Sequence, residues 1–105
     1  KAILVSGAKR MAQLPNTPTV MESGVPGYES YAWIGMVVPA ATPKDIVTKL
    51  NREIVSILNL PDIRSRLTND GSEVIANTPE QFGVHIRAEL GKWEKVIKSA
   101  GIKPN

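Results

Sequence analysis

Cysteine is absent from the 105 residues, and histidine and phenylalanine occur once each. Without thiols there can be no disulfide, no thiolate nucleophile and no cysteine-ligated metal, and the redox compartment is left open. A single imidazole excludes a histidine-rich metal cage. Long hydrophobic runs are missing as well. The longest, around residues 2–5 and 34–41, fall far short of the roughly 20 residues that cross a bilayer, so no membrane-spanning helix is expected. The charge balance is nearly even, with 13 Lys and Arg interspersed among 10 Asp and Glu for a net +3. No continuous basic stripe results, and nucleic acid is not an expected partner. A small basic interaction or nucleic-acid-binding module is the alternative that the positive balance leaves in play.

Hydrophobic residues at 42% and charged residues at 22% place the chain in the globular range, with material for one modest core. It is one small domain or part of a larger one. Residues 2–5, Ala-Ile-Leu-Val, form an unbroken apolar run of the kind found in strands covered on both faces, which favours an α/β layer. Lys1 to Ser6 therefore reads as a strand and not as the charged-then-apolar opening of a secretory signal, so the chain is expected to begin in mid-fold. Thr17 and Pro18 predict a short helix, capped by the threonine and closed by Gly24. A stiff Gly-Val-Pro-Gly-Tyr turn follows at 24–28. Residues 31–38 make the strongest strand signal in the sequence, interrupted at Gly35, where another backbone can approach closely.

Two longer helices are predicted by initiation chemistry and period. Thr42 as cap with Pro43 in the first position precedes Ile46, Leu50, Ile54 and Ile57, which share one face. Pro61 interrupts that helix, and a shorter one over 62–70 turns Ile63 and Leu67 inward before Gly71. A brief strand at 72–76 is centred on Val74 and Ile75. Thr78, Pro79, Glu80 and Gln81 form a fuller capping box. The last helix carries a stripe of Phe82, Ile86, Leu90, Trp93 and Ile97 and ends at Gly101 and Pro104. Gly83 and Gly91 each weaken it by about 1 kcal/mol relative to alanine, so packing must hold it.

Chemistry has little to draw on. His85 is the one group with an ordinary pKa near neutrality, and a solvated or packed histidine is the expectation there. Asp62 and Asp70 bracket a helix, while Glu89 and Glu94 lie on different faces, so no paired acid and base is formed. No catalytic residue, metal site or cofactor is expected. The loop Ser6-Gly-Ala-Lys-Arg10 leaves a buried strand, where backbone amides and two cations could meet an anion. An ordinary polar exit with Lys9 and Arg10 in water is the competing reading. Tyr28, Tyr31 and Trp33 could line a cleft, or Trp33 could be core beside Met36. Trp93 is expected in the core.

The order of these pieces resembles a known family. Residues 2–10 (AILVSGAKR), 14–20 (LPNTPTV), 22–29 (ESGVPGYE), 33–35 (WIG) and 38–43 (VPAATP) are similar to the C-terminal third of the Bug, or TctC, solute-binding proteins of tripartite tricarboxylate transporters. Leu50-Asn51, Leu67, Gly71, residues 78–82 (TPEQF), Lys92-Trp93 and residues 100–102 (AGI) fit the same tail.

The resemblance implies an α/β fold: the C-terminal part of a two-lobed, type II periplasmic-binding-protein-like architecture, with few short strands and three main helices. Residues 1–30 would end the second lobe, 31–38 would be a hinge strand, and 39–105 would complete the first lobe with the long terminal helix. It further implies a non-enzymatic periplasmic receptor that closes on a di- or tricarboxylate, an aromatic acid or an amino acid, then docks to the membrane permease subunits. In such a part-built cleft the expected ligand-binding residues are Ser6 and Gly7 at the strand end and Tyr31 and Trp33 beside the hinge. They rest on position, since strand ends and domain junctions are where such pockets form. Apolar surface left uncovered would favour self-association.

Overall fold

A computed structural model describes residues 1–103. It contains three helices, α1 (Lys44–Leu58), α2 (Pro61–Asn69) and α3 (Pro79–Ser99). Between Val5 and Thr19 there is one isolated parallel β-bridge. By its contacts the chain divides into two compact units, one of Lys1–Pro39 with Leu60–Val74 and the other of Ala40–Asn59 with the chain from Ile75 onward.

The first unit is organised around that bridge. The Val5 amide donates to the Pro18 carbonyl and the Val20 amide to the Val5 carbonyl, both at 3.0 Å. Val5, 8% exposed, and Thr19, 2% exposed, are the buried residues of the described chain. The strand expected over 2–5 is thus reduced to its last residue, because only Val5 finds a backbone partner.

The helix expected from Thr17 is replaced by turns. In such a helix the Pro18 carbonyl would receive the Glu22 amide, but Val5 already occupies it. Glu22 instead donates to Thr19 Oγ1 at 3.1 Å, and the Thr19 amide donates back to the Glu22 carboxylate at 2.8 Å. Capping-box chemistry is therefore present two residues later than expected, closing a turn and not a helix.

Helix α2 starts at Pro61, whose missing amide costs nothing in a first turn. It ends as expected at Gly71, which adopts φ +85°. The Gly71 amide bonds the Thr68 carbonyl at 3.0 Å and the Ser72 amide the Leu67 carbonyl at 2.9 Å, the paired closure that a left-handed residue after a helix permits. The Gln13 side chain donates to the Thr68 carbonyl, tying the 11–13 turn to this helix end. Over 31–38 and 72–76, both expected as strands, no ladder forms among the described residues. A strand needs a partner for its backbone groups, and neither segment meets one here.

In the second unit α1 lacks the threonine cap predicted for it. Pro43 has φ −56° and ψ 142°, so it lies outside the helix and is itself the N-cap, with no side-chain cap bond. Its carbonyl receives the Ile46 and Val47 amides at 3.1 Å. Helix α3 carries the predicted box in full: Gln81 N–H donates to Thr78 Oγ1 at 3.2 Å and Thr78 N–H to Gln81 Oε1 at 2.9 Å. Gly101, at φ +65°, closes it through Gly101 to Lys98 and Ile102 to Ile97 backbone bonds. Pro104, expected to help end the helix, lies outside the described residues.

Helices α1 and α3 touch, and Asn51 on α1 donates to the Asn77 carbonyl at 3.0 Å. That bond sits beside Ala76, a non-glycine residue at φ +49°, which packing must hold against roughly 1 kcal/mol or more of steric cost. The predicted apolar stripes exist as helix faces, but no residue of any helix is buried. Trp93, expected in the core, is 44% exposed. Its indole donates to Glu89 at 2.9 Å, and the Lys92 ammonium lies 5.4 Å from the ring centroid. One contacting helix cannot enclose so wide an apolar surface.

Candidate functional site

Past the bridge at Val5 the chain turns through the loop of residues 6–10, and the Ser6 carbonyl receives the Ser30 amide at 2.9 Å. This bond sets the next residue, Tyr31, against the loop. A Cβ on Gly7 would lie 3.5 Å from Tyr31 Cε1, 3.6 Å from Tyr31 Cδ1 and 3.5 Å from the Lys9 carbonyl oxygen. A Cβ there would make only ordinary contact, so the Tyr31 ring simply lies beside Gly7. Ser6, Gly7 and Tyr31 lie together in the structure. Trp33, 44% exposed, follows two residues along the same segment.

The Tyr31 hydroxyl donates to Glu29 Oε2 at 2.9 Å. That hydrogen bond, with lesser help from burial and from the Glu29 and Glu73 charges, raises the phenol above its ordinary pKa, while the Ala8 amide pulls the other way. The hydroxyl accordingly stays protonated throughout the neutral range.

The two cations of the loop have different fates. Arg10 is exposed to water but paired. Its Nε lies 2.9 and 3.2 Å from the two Glu22 carboxylate oxygens, and Nη1 donates to the Pro15 carbonyl at 3.2 Å. The Arg10 hydrogen bond, and next the Thr19 amide, hold the Glu22 carboxyl below the usual carboxylate range. Glu22 in turn raises Arg10. Lys9 is exposed. The loop consequently offers one available positive charge where the sequence suggested two.

Sequence reasoning passed over Glu22, Thr19 and Glu29. The first two had a signal, since Thr19-Val-Met-Glu22 is the spacing of a capping box. Glu29 had a weak one, since residues two apart share one face of an extended segment, and it went unused.

In the second unit a shallow open groove of about 200 Å³ is lined by Lys44, Val47, Thr48, Pro79 and Glu80, at the first turns of α1 and α3. His85 is half-buried and stacks on Phe82, with ring centroids 6.3 Å apart at 18°. Of the solvated or packed histidine expected there, the structure shows the packed one. Among the described residues no group of His, Asp and Glu could hold a metal ion, and no helix is long and apolar enough to cross a membrane.

Helices standing open on their apolar faces, a strand end with an aromatic laid over its glycine, and long segments awaiting strand partners are the marks of part of a periplasmic-binding-protein-like α/β fold. Solved structures agree. "R. palustris Rpa4515 with adipate" aligns with a TM-score of 0.85 and 39% identity over 97% of this chain and 34% of that one. "Structure of periplasmic binding protein BugD" aligns with a TM-score of 0.85 and 33% identity over 95% of this chain and 34% of that one.

The chain belongs to the tripartite tricarboxylate transporter family receptors (TctC), whose sequence model matches residues 1–102. A UPF0065 protein from the tcbD-tcbE intergenic region of Pseudomonas sp. (strain P51) is 32% identical over the whole chain. Protein BugT of Bordetella pertussis is 26% identical over 98% of it. The chain spans about a third of the length of these curated relatives, 32% of each.

Proposed function

We propose that this chain is the C-terminal third of a periplasmic solute receptor that captures a small carboxylate and delivers it to the membrane permease subunits of a tripartite tricarboxylate transporter. Residues 1–30 end the second lobe, 31–38 form the strand through the hinge, and the chain from residue 39 completes the first lobe. Ser6, Gly7, Tyr31 and Trp33 contribute one wall of the cleft. Capture proceeds by lobe closure, without covalent chemistry.

The observation that carries this reading is the family match over residues 1–102, joined to 39% identity with the R. palustris relative solved with adipate. The juxtaposition of Ser6, Gly7 and Tyr31 supports the choice of wall.

A chimera tests it. Residues 1–103 replace the matching third of the R. palustris relative, and adipate binding is followed by calorimetry. Retained binding within about tenfold of the parent, a change of 1.4 kcal/mol, is expected. A chimera that folds by circular dichroism yet binds neither adipate nor other four- to six-carbon diacids or amino acids would refute the receptor reading.

A further inference from the structure

We infer that Arg10 and Glu22 are positioning residues for the ligand loop: paired across its far end, they hold residues 6–9 in their binding shape before any solute arrives. This rests on the receptor reading above and deepens it, since that reading makes Ser6 and Gly7 part of the cleft wall. The loop leaves Val5, whose amide and carbonyl are bonded to Pro18 and Val20. At Arg10 it returns to the same stretch of chain. Arg10 Nε donates to both Glu22 carboxylate oxygens, at 2.9 and 3.2 Å, and Nη1 donates to the Pro15 carbonyl at 3.2 Å. Both ends of the loop are therefore fastened to residues 15–22.

The clasp has a buried footing. Glu22 Oε2, besides meeting Arg10, accepts the Thr19 amide at 2.8 Å, and the Glu22 amide donates to Thr19 Oγ1 at 3.1 Å. Thr19, 2% exposed, is the bridge partner of Val5. Glu22 thus links the residue that ends the loop to the one that anchors its start, and a ring of bonds runs through Val5, Thr19, Glu22 and Arg10. An isolated ion pair this open to water would do little. Here one partner is already held by the backbone, so pairing has only the arginine side chain to order. Nearer the middle, the Ser6 carbonyl receives the Ser30 amide and the Ala8 amide acts on the Tyr31 hydroxyl. A loop fixed in advance loses no binding free energy to ordering when the solute arrives.

Affinity and loop order are measured separately. In the chimera described above, Arg10→Met and Glu22→Gln should each weaken adipate binding about three- to tenfold, and the double variant no more than either alone, because both break one connection. Glu22→Gln keeps an acceptor for the Thr19 amide, so the 19–22 turn survives it. Arg10→Lys, which retains the charge without the fork, should fall between the parent and Arg10→Met. Lys98→Met breaks the exposed pair with Glu94 on α3, and this control should leave the affinity within about twofold of the parent. In the chain itself, NMR relaxation should show the order parameters of the Gly7, Ala8 and Lys9 amides falling from about 0.85 to below about 0.6 in either loop variant, with the amides of α3 unchanged. A contribution to stability alone would lower the urea midpoint and leave the order of these amides as it was.

Adipate affinities within about twofold of the parent in both loop variants overturn the inference, and so does unchanged order at Gly7 and Ala8. Failure of the unsubstituted chimera to bind adipate counts against the receptor reading instead, and the amide measurement on the chain then decides the clasp. Should either loop variant not fold, the other decides.

Discussion

Residues 1–39 and residues 75–100 hold their shape by opposite means. The second stretch is governed by bonds within four or five residues: the Thr78–Gln81 box opens α3, its ladder runs 21 residues, and the Gly101 closure finishes it. The first stretch contains no helix. It depends on bonds across 12 to 24 positions, from Val5 to Pro18 and Val20, from Ser30 to Ser6, and from Arg10 to Glu22. Loop-closure entropy opposes each of these before any contact repays it. Local order in α3 should thus survive perturbations that erase order in the first stretch, and the candidate ligand loop lies in the more fragile of the two.

The comparison is most severely tested at Thr19. Replacing Thr19 with valine removes the acceptor for the Glu22 amide at a position 2% exposed. A hydrogen bond of this part-buried kind contributes about 0.5 to 1.5 kcal/mol, and a donor left without its partner adds to the loss. The Val20 amide should lose roughly tenfold or more of its hydrogen-exchange protection, with amides of α3 unaffected. Loss spread equally over both regions would break the distinction.

Next in size are the two helix-ending glycines. Alanine at either left-handed position costs about 1 to 2 kcal/mol. A Cβ on Gly71 would meet Met11 Cε at 3.0 Å, whereas one on Gly101 has nothing within 4 Å. Gly71→Ala should accordingly be the more harmful in urea unfolding by no more than about 0.5 kcal/mol, because only the tip of the Met11 side chain has to move aside.

A third test sets two threonines against each other. Thr78→Ala should cost about 1 kcal/mol and reduce helix content by circular dichroism. Thr42→Ala, which removes no cap bond, should stay within about 0.5 kcal/mol of the parent.

The smallest effect is the pH response of the Arg10–Glu22 pair. Glu22 is held below the ordinary carboxylate range, so its contribution is complete above the unfolded carboxylate pKa and is lost as pH falls through the lower folded value. Arg10→Met should move the Glu22 titration midpoint upward, read from its side-chain carboxyl carbon by NMR. A midpoint that does not move would show that the Thr19 amide alone sets it.

The helices were legible in the sequence because their instructions are local. Thr78-Pro-Glu-Gln81 specified its own box, and Gly71 and Gly101 their own closures. The starting points of α1 and of the 19–22 turn were displaced, since several threonines precede prolines and only the surrounding chain decides which carbonyl is already taken; at Pro18 it was Val5 that took it. Strand signals at 2–5, 31–38 and 72–76 state that a segment suits a sheet and nothing about whether neighbours are present. At the candidate site, Ser6 and Gly7 were singled out by their place at a strand end and Tyr31 and Trp33 by theirs beside the hinge, and the structure brings Ser6, Gly7 and Tyr31 together. Glu29 was overlooked, because sharing one face of an extended segment with Tyr31 does not by itself say that the two side chains bond.

Residues 31–38 contain neither a charge nor a proline, and Ile34 within them is 101% exposed. Natural edges are guarded by lysine, proline or a bulge, and this stretch has no such gatekeeper. Purified alone and concentrated, the polypeptide carries a ready template for fibril growth. A lysine placed at Ile34 or Val37 is the first substitution to make in any attempt to keep it in solution.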